Sequence, residues 1–308
     1  MLHEFHFRAM NTDVGIWLWN PSRQVDRLMR HAMQRFEEAE AELSRFRPDS
    51  GLSRLNAAAG LGPQTVSPLL WTALNRAVEA ARQTLGLFDP TVLDLLRAAG
   101  YDRSFELLDS SSDTLGPSAK PSCGWHQIRF YDSVGQVELP AGVGIDLGGI
   151  AKGWTVDRVA VSLATHGPVL VDAGGDIRAI GMPGGEPWPV AVQDPFDETR
   201  DCAVLALNGG AVATSSIGRR RWQRNGQTMH HLIDPRTGQP SDSDLHTVTV
   251  LADTAEEAEV SAKTVLMLGT QAGASWLKRR DLRGLLIDRR GREHSVGTLP
   301  IYTMLEIA

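Results

Sequence analysis

Beyond residue 126 the chain reads as a series of short β-type runs with only two helical stretches set among them, and this ordering limits the fold more than any single motif. Runs rich in Val, Ile, Leu, Thr and aromatic residues recur at 127–131, 137–139, 169–171, 190–192, 203–207, 247–251 and 284–287. The helical stretches lie near 150–165 and 254–268, the latter opened by Thr254-Ala255-Glu256-Glu257, a capping-box pattern. Strands and helices do not alternate strictly, which argues against a doubly wound parallel sheet. The expected fold is α+β, with mainly antiparallel sheets flanked by helices.

The first half adds a strand-like run at 14–19, a turn at Asn20-Pro21-Ser22, and a helix whose Val25, Leu28, Met29, Ala32, Phe36, Ala39 and Leu43 share one face. A second helix follows Ser67-Pro68, with serine as N-cap and proline in the first turn. Its small face, Ala73, Ala77, Ala80 and Ala81, predicts close packing against a neighbour. Residues 109–122, rich in Ser, Asp, Pro and Gly, read as an exposed loop without the character of a linker. No repeat of fixed period is present. At 308 residues the chain allows one domain over 1–308 or two closely interlocked halves.

Charge narrows the partners. The formal net charge of -6 provides no positive field for a nucleic-acid backbone, so nucleic acid is not expected. The basic run Arg219, Arg220, Arg221 and Arg224 reads as a solvated loop or as a phosphate contact. Cys123 and Cys202 have no metal-binding spacing and do not form a disulfide framework, though a single bridge between them stays open. No apolar run approaches the roughly 20 residues of a membrane span. The N-terminal residues lack the apolar region of a secretory signal, which predicts a cytoplasmic location unless a leader has been trimmed.

Three stretches carry potential chemistry. Residues 144–153, GIDLGGIAKG, read as a short strand running through Gly148 and Gly149 into a helix. Such a junction exposes backbone N–H groups to phosphate and Lys152 adds a cation, while a tight turn alone also explains the glycines. In VDAGGD at 171–176, Asp172 and Asp176 flank a glycine pair, and a β-turn with locally capping aspartates is the simpler reading. In HHLIDPRTGQP at 230–240, an imidazole, Asp234, Arg236 and Thr237 gather in one loop, a possible base beside a phosphate-binding guanidinium. His231 is equally readable as a structural histidine.

Taken together and in order, MNT at 10–12, SRFRPDSGLSRLN at 44–56, FDPTV at 88–92, IDLGGIAKG at 145–153, AGGD at 173–176, ATS at 213–215 and HLIDPRTG at 231–238 resemble the FAD:protein FMN transferase (ApbE) family over nearly the whole chain. The resemblance implies an α+β, T-fold-like architecture and a magnesium-dependent reaction. FAD is cleaved at its pyrophosphate, FMN passes to a threonine of an acceptor protein as a phosphoester, and AMP is released. Resembling proteins are often exported. The positions implied to contact FAD are Met10, Phe46, Leu87, Phe88, Asp89, Asp146, Lys152 and Leu232, with Phe46 stacking on the flavin; His231 and Asp234 are implied to be catalytic.

The implied Mg2+ ligands are the Gly149 carbonyl, the side chain at 259, the Ala262 carbonyl and the side chain at 263. Here Glu259 stands for the expected aspartate and Lys263 for the expected threonine. Lysine offers a metal no lone pair while protonated. Three readings follow: an ordinary i,i+4 surface pair contributing about 0.3–0.5 kcal/mol, a Lys263–Glu259 pair that partly replaces magnesium, or a site shifted to Thr264. Asn11, Asp172 and Ser216 also depart from the family's usual residues, and Asp172 adds negative charge near a dinucleotide unless backbone N–H groups cap it. Two other activities stay compatible: an FAD-binding protein without transfer, and an FAD hydrolase giving FMN and AMP.

Overall fold

The structure is a computed structural model describing residues 1–20, 25–105, 124–224 and 227–302. The expected turn at Asn20-Pro21-Ser22, the 109–122 loop and Cys123 fall wholly or partly outside the described residues. Two compact units form, one from residues 1–36, 152–216 and 243 onward, the other from 37–151 and 217–242.

The first unit is built on an eight-stranded sheet. Its order is Leu2–Ala9, Thr12–Trp19, Val169–Ala173, Asp176–Ile180, Gly210–Ser216, Leu245–Ala252, Arg283–Asp288 and Glu293–Val296, antiparallel at every pairing. The two-residue period decides which side each residue faces. Val14, Ile16, Leu18, Val169, Val171, Ala173, Ala211 and Ala213 meet one apolar layer. That layer also contains Val25, Met29, Ala32 and Phe36 of the Val25–Leu43 helix, Val156, Val159, Ala160 and Leu163 of the Ala151–Ala164 helix, and Ala255 and Ala258 of the Ala255–Leu268 helix. Leu170, Ile177, Val212, Leu251 and Leu285 face the other way, onto a hairpin of Trp188–Gln193 and Asp201–Leu207. With each fully buried Val, Leu or Ile contributing about 1.5–3 kcal/mol, both faces are held by apolar burial.

Two helices of this unit are locked together near their starts. The Asp157 carboxylate accepts from the N–H groups of Ala255 and Glu256, both at 2.9 Å, and Thr254 accepts from Glu257 N. The donors left over at a helix start are thereby satisfied. Close approach needs a residue without a side chain: a Cβ on Gly153 would lie 2.5 Å from the Ala255 carbonyl oxygen.

The second unit carries the helices Gly51–Ala57, Pro68–Gln83 and Leu93–Ala98, a three-stranded sheet, and two short hairpins, Arg221–Arg224 with Gln227–His230 and Ile233–Asp234 with Gln239–Pro240. Ser67 caps the Pro68–Gln83 helix as its position predicts, and Ala73, Ala77, Ala80 and Ala81 are buried. Tyr101 stacks on Trp222 at 5.5 Å within a cluster that includes Leu95, Leu96 and Ile233, and the indole N–H donates to Ala99 O at 2.9 Å. Arg224, from the basic run, donates to Ala98 O, while Arg219 and Arg221 are exposed.

The mixed, antiparallel class matches the expectation. Several elements differ in detail. No strand runs directly into Gly148, since residues 143–147 are irregular, and the run at 127–131 shortens to Arg129–Tyr131 after a 3-10 turn at Gly124–Gln127. The strands Leu2–Ala9, Asp176–Ile180, Gly210–Ser216 and Glu293–Val296 were not anticipated, because their polar or small residues hide the apolar alternation.

Candidate functional site

Within the first unit, two hairpin turns from distant parts of the sequence lie together. Met10 and Asn11 form the two-residue turn of the first hairpin with φ of 52° and 56°, the left-handed pair of a type I′ turn. Asparagine tolerates this conformation, so Asn11 substitutes for glycine at little cost. Beside it lies the hairpin turn at Gly174 and Gly175, with φ of 66° and 91°. A Cβ on Gly174 would stand 2.2 Å from Thr12 Oγ1, so this position requires glycine for space as well as for conformation. Asp172 accepts from Gly175 N at 2.7 Å and is thus capped by backbone.

Asp176 does not cap its own turn. Its carboxylate pairs with the ammonium of Lys152, in the first turn of the Ala151–Ala164 helix. The same ammonium stands 2.7 Å from Oε1 of Glu259, and Oε2 of Glu259 accepts from Gly153 N at 2.9 Å. One lysine therefore joins two buried carboxylates from a strand and a different helix. Burial alone would lower the lysine's proton affinity, but the charges of Asp176 and then Glu259 outweigh it and raise the ammonium above its ordinary range. Burial, with the Glu259 charge added, pushes the Asp176 carboxyl up to about 7 against the pull of Lys152.

Lys152 is thus one cation on Glu259 Oε1, a partner that helix spacing does not reveal. Lys263 is half-buried and Ala262 fully buried. At the shifted alternative, Thr264 is fully buried and its hydroxyl donates to Val260 O at 2.8 Å. Among the described residues no group of three or more His, Cys, Asp or Glu side chains is arranged to hold a metal ion.

The second unit interlocks three of the sequence motifs. Asn56 clamps Ile145 from both sides, accepting from its N–H at 2.8 Å and donating to its carbonyl at 2.9 Å. Asp146 N donates to Pro90 O at 2.8 Å, and Asp146 Oδ1 accepts from Gly148 N at 2.8 Å. Gly149 is buried just before the helix. Asp89 uses Oδ1 for the N–H and hydroxyl of Thr91, at 2.8 and 2.6 Å. Phe88 and Leu232 are buried, Leu87 and Phe46 half-buried. Phe46 packs 5.7 Å from Tyr101 and is therefore anchored in a core as well as partly open.

The histidine pair is divided by the fold. His230 is buried and its Nε2 lies 3.2 Å from Ser241 O, a structural role, whereas His231 is half-buried. Asp234, expected to be catalytic, is buried and held by Arg236 through Nε at 2.9 Å, Nη2 at 2.7 Å and the backbone N–H at 2.9 Å. Those hydrogen bonds and the carboxylate's charge raise the guanidinium above its ordinary range. Asp234 builds the Pro235–Arg236–Thr237 turn, with Gly238 N donating to its carbonyl at 2.8 Å. The sequence suggested only a local cap for Asp176 and no role for Arg45 or Asn56, although each lies inside a stretch singled out above.

Comparison with known proteins places the chain in a family. The model of the ApbE family matches residues 10–286. The FAD:protein FMN transferase of Salmonella typhimurium is 31% identical over 257 residues, covering 81% of this chain and 73% of that protein. That of Treponema pallidum is 31% identical over 285 residues, covering 86% and 78%. The crystal structure of an ApbE protein from Thermotoga maritima superimposes with a TM-score of 0.87 at 27% identity, covering 96% of this chain and 97% of that one. The flavin transferase ApbE from Vibrio cholerae gives 0.77 at 25% identity, covering 96% and 98%.

Proposed function

The chain belongs to the ApbE family, and on that premise we propose that it is an FAD:protein FMN transferase. The observation that carries the reading is the 31% identity to relatives of that name over more than four-fifths of the chain. Further support comes from the interlocking of the Asn56, Pro90 and Asp146 stretches, which gives three separated motifs one structural purpose.

In the proposed reaction the hydroxyl oxygen of an acceptor threonine attacks the FMN-side phosphorus of FAD. The bond from that phosphorus to the bridging oxygen breaks, FMN becomes a phosphoester of the acceptor, and AMP leaves with the bridging oxygen. His231 is our candidate to take the hydroxyl proton, since its neighbour His230 is committed to Ser241. Asp234 acts through Arg236, fixing a guanidinium suited to phosphate recognition. Met10, Phe46, Leu87, Phe88, Asp89, Asp146, Lys152 and Leu232 remain the proposed FAD contacts, with Asp89 and Lys152 contributing through the groups they already hold.

Magnesium does not fit the residues of this chain. The ion prefers octahedral oxygen coordination. Here both oxygens of Glu259 are engaged by Lys152 and Gly153, and a lysine stands at 263. This change favours, as the second reading, an FAD-binding protein in which transfer is weakened.

Mass spectrometry of a threonine-bearing acceptor after incubation with FAD, with and without MgCl2, tests the proposal. A covalent FMN adduct on threonine is the expected result. Saturable FAD binding with neither adduct nor AMP in both conditions would replace it with the binding role.

A further inference from the structure

Arg45 is a buried cation in the second unit, its side chain 4% exposed. Its guanidinium carbon lies 4.1 Å from the ring centroid of Phe46 and 4.6 Å from that of Tyr101. Nε stands 2.5 Å from Oδ2 of Asp146 but off the N–H direction, so the contact is an ion pair without a directed hydrogen bond. Nη2 is also buried and makes no hydrogen bond.

As a purely structural element this arrangement is expensive. Removing a charged group from water carries a cost that one ion pair only partly returns, and apolar residues of similar volume often serve stability as well or better. A buried donor without an acceptor adds a further penalty. Cation–π contact with two rings offsets only part of this. The balance points to a role other than stability, and the partners identify it. Asp146 and Phe46 come from stretches about 100 residues apart, and Arg45 touches both. The other Asp146 oxygen is spent on Gly148 N, so the carboxylate's orientation has two determinants, the turn and Arg45.

We propose that Arg45 is a positioning residue of the flavin site, its planar cation setting the Phe46 ring and the Asp146 carboxylate in one fixed relative geometry for FAD. The inference rests on the functional reading above, through the assignment of Phe46 and Asp146 as flavin contacts. Lysine cannot replace arginine here, because a point charge can pair with Asp146 but cannot lie flat over two rings.

The test uses the full chain, with FAD titrated into wild type, Arg45→Met and Arg45→Lys. Affinity is read from flavin fluorescence, ring environment from visible circular dichroism of the bound flavin, and folding from the thermal transition. Arg45→Met is expected to weaken FAD binding by at least about tenfold and to alter the flavin dichroism, with Arg45→Lys recovering only part of either. A folded Arg45→Met that binds within about twofold of wild type with unchanged dichroism overturns the proposal. Should Arg45→Met fail to fold, Arg45→Lys decides alone, and wild-type affinity with wild-type dichroism in that variant is then the overturning result. If wild type itself binds no FAD, the functional reading fails and the proposal falls with it, whereas normal wild-type binding with indifferent variants removes the proposal only.

Discussion

The Lys152 ammonium lies 2.7 Å from the Glu259 carboxylate although 107 positions separate the two residues, and the same nitrogen pairs with Asp176. A single cation thereby ties the start of the Ala151–Ala164 helix to the Ala255–Leu268 helix and to the Asp176–Ile180 strand. With both acids ionised the cluster has one more negative than positive charge, and this excess, together with burial, raises the proton affinity of Asp176.

The pH dependence of stability follows. Unfolded, the Asp176 carboxyl ionises near its ordinary 3.8; folded, it ionises near about 7. Between these values the folded state binds more protons, so the contribution of Asp176 is greatest at low pH and is lost as pH rises towards 7. Comparing wild type with Asp176→Asn by urea denaturation isolates this group. The stability of wild type relative to the variant is expected to decline between pH 4 and 7, by at most about 4 kcal/mol. A flat or rising difference would contradict the proton placement.

Gly153→Ala separates helix propensity from packing. Alanine favours an isolated helix by about 1 kcal/mol over glycine. Its Cβ would meet the Ala255 carbonyl oxygen at 2.5 Å, a backbone atom that cannot rotate away. Overpacking of this kind costs about 1–3 kcal/mol or more, so a net loss of stability is expected in denaturant titration. A gain would show that the two helices do not approach so closely.

Asn56→Ala removes both hydrogen bonds to fully buried Ile145 and leaves its N–H and carbonyl unpaired. A loss of about 2–4 kcal/mol is expected from chemical denaturation. Asn56→Asp preserves an acceptor for the N–H but turns a second carboxylate oxygen toward the Ile145 carbonyl, so it is expected to be destabilised as well. Stability equal to wild type in either variant would contradict the clamp.

The histidine pair gives opposite expectations. His230→Ala loses its contact with Ser241 O and opens a buried space, so its thermal transition is expected to fall while any transfer by the folded fraction persists. His231→Ala is expected to retain the wild-type transition and FAD affinity and to lose about 100-fold or more in transfer rate. Reversal of the two patterns would move the base to His230.

Much of the fold was legible because its signals are local. The helical period at 25–43 and the Ser67-Pro68 start each report on neighbours within a few turns, and the structure places both helices there. The Gly210–Ser216 strand was missed for a physical reason: its small and hydroxylated residues suit a central strand whose Thr214 meets Thr249 across the ladder at 2.9 Å, but carry little apolar contrast. At the site, family resemblance located the stretches without revealing their partners. Asp176 suggested a local cap, and only the sheet register brings it to Lys152. Arg45 and Asn56 act across about 90–100 residues, a distance over which spacing carries no information.

The central claim is best tested by measuring AMP release and acceptor labelling in the same reaction, with purified protein, FAD and a threonine-bearing acceptor protein. Transfer predicts one AMP for each FMN bound to threonine, with no free FMN. AMP accompanied by equal free FMN and unlabelled acceptor would contradict transfer and identify water as the acceptor.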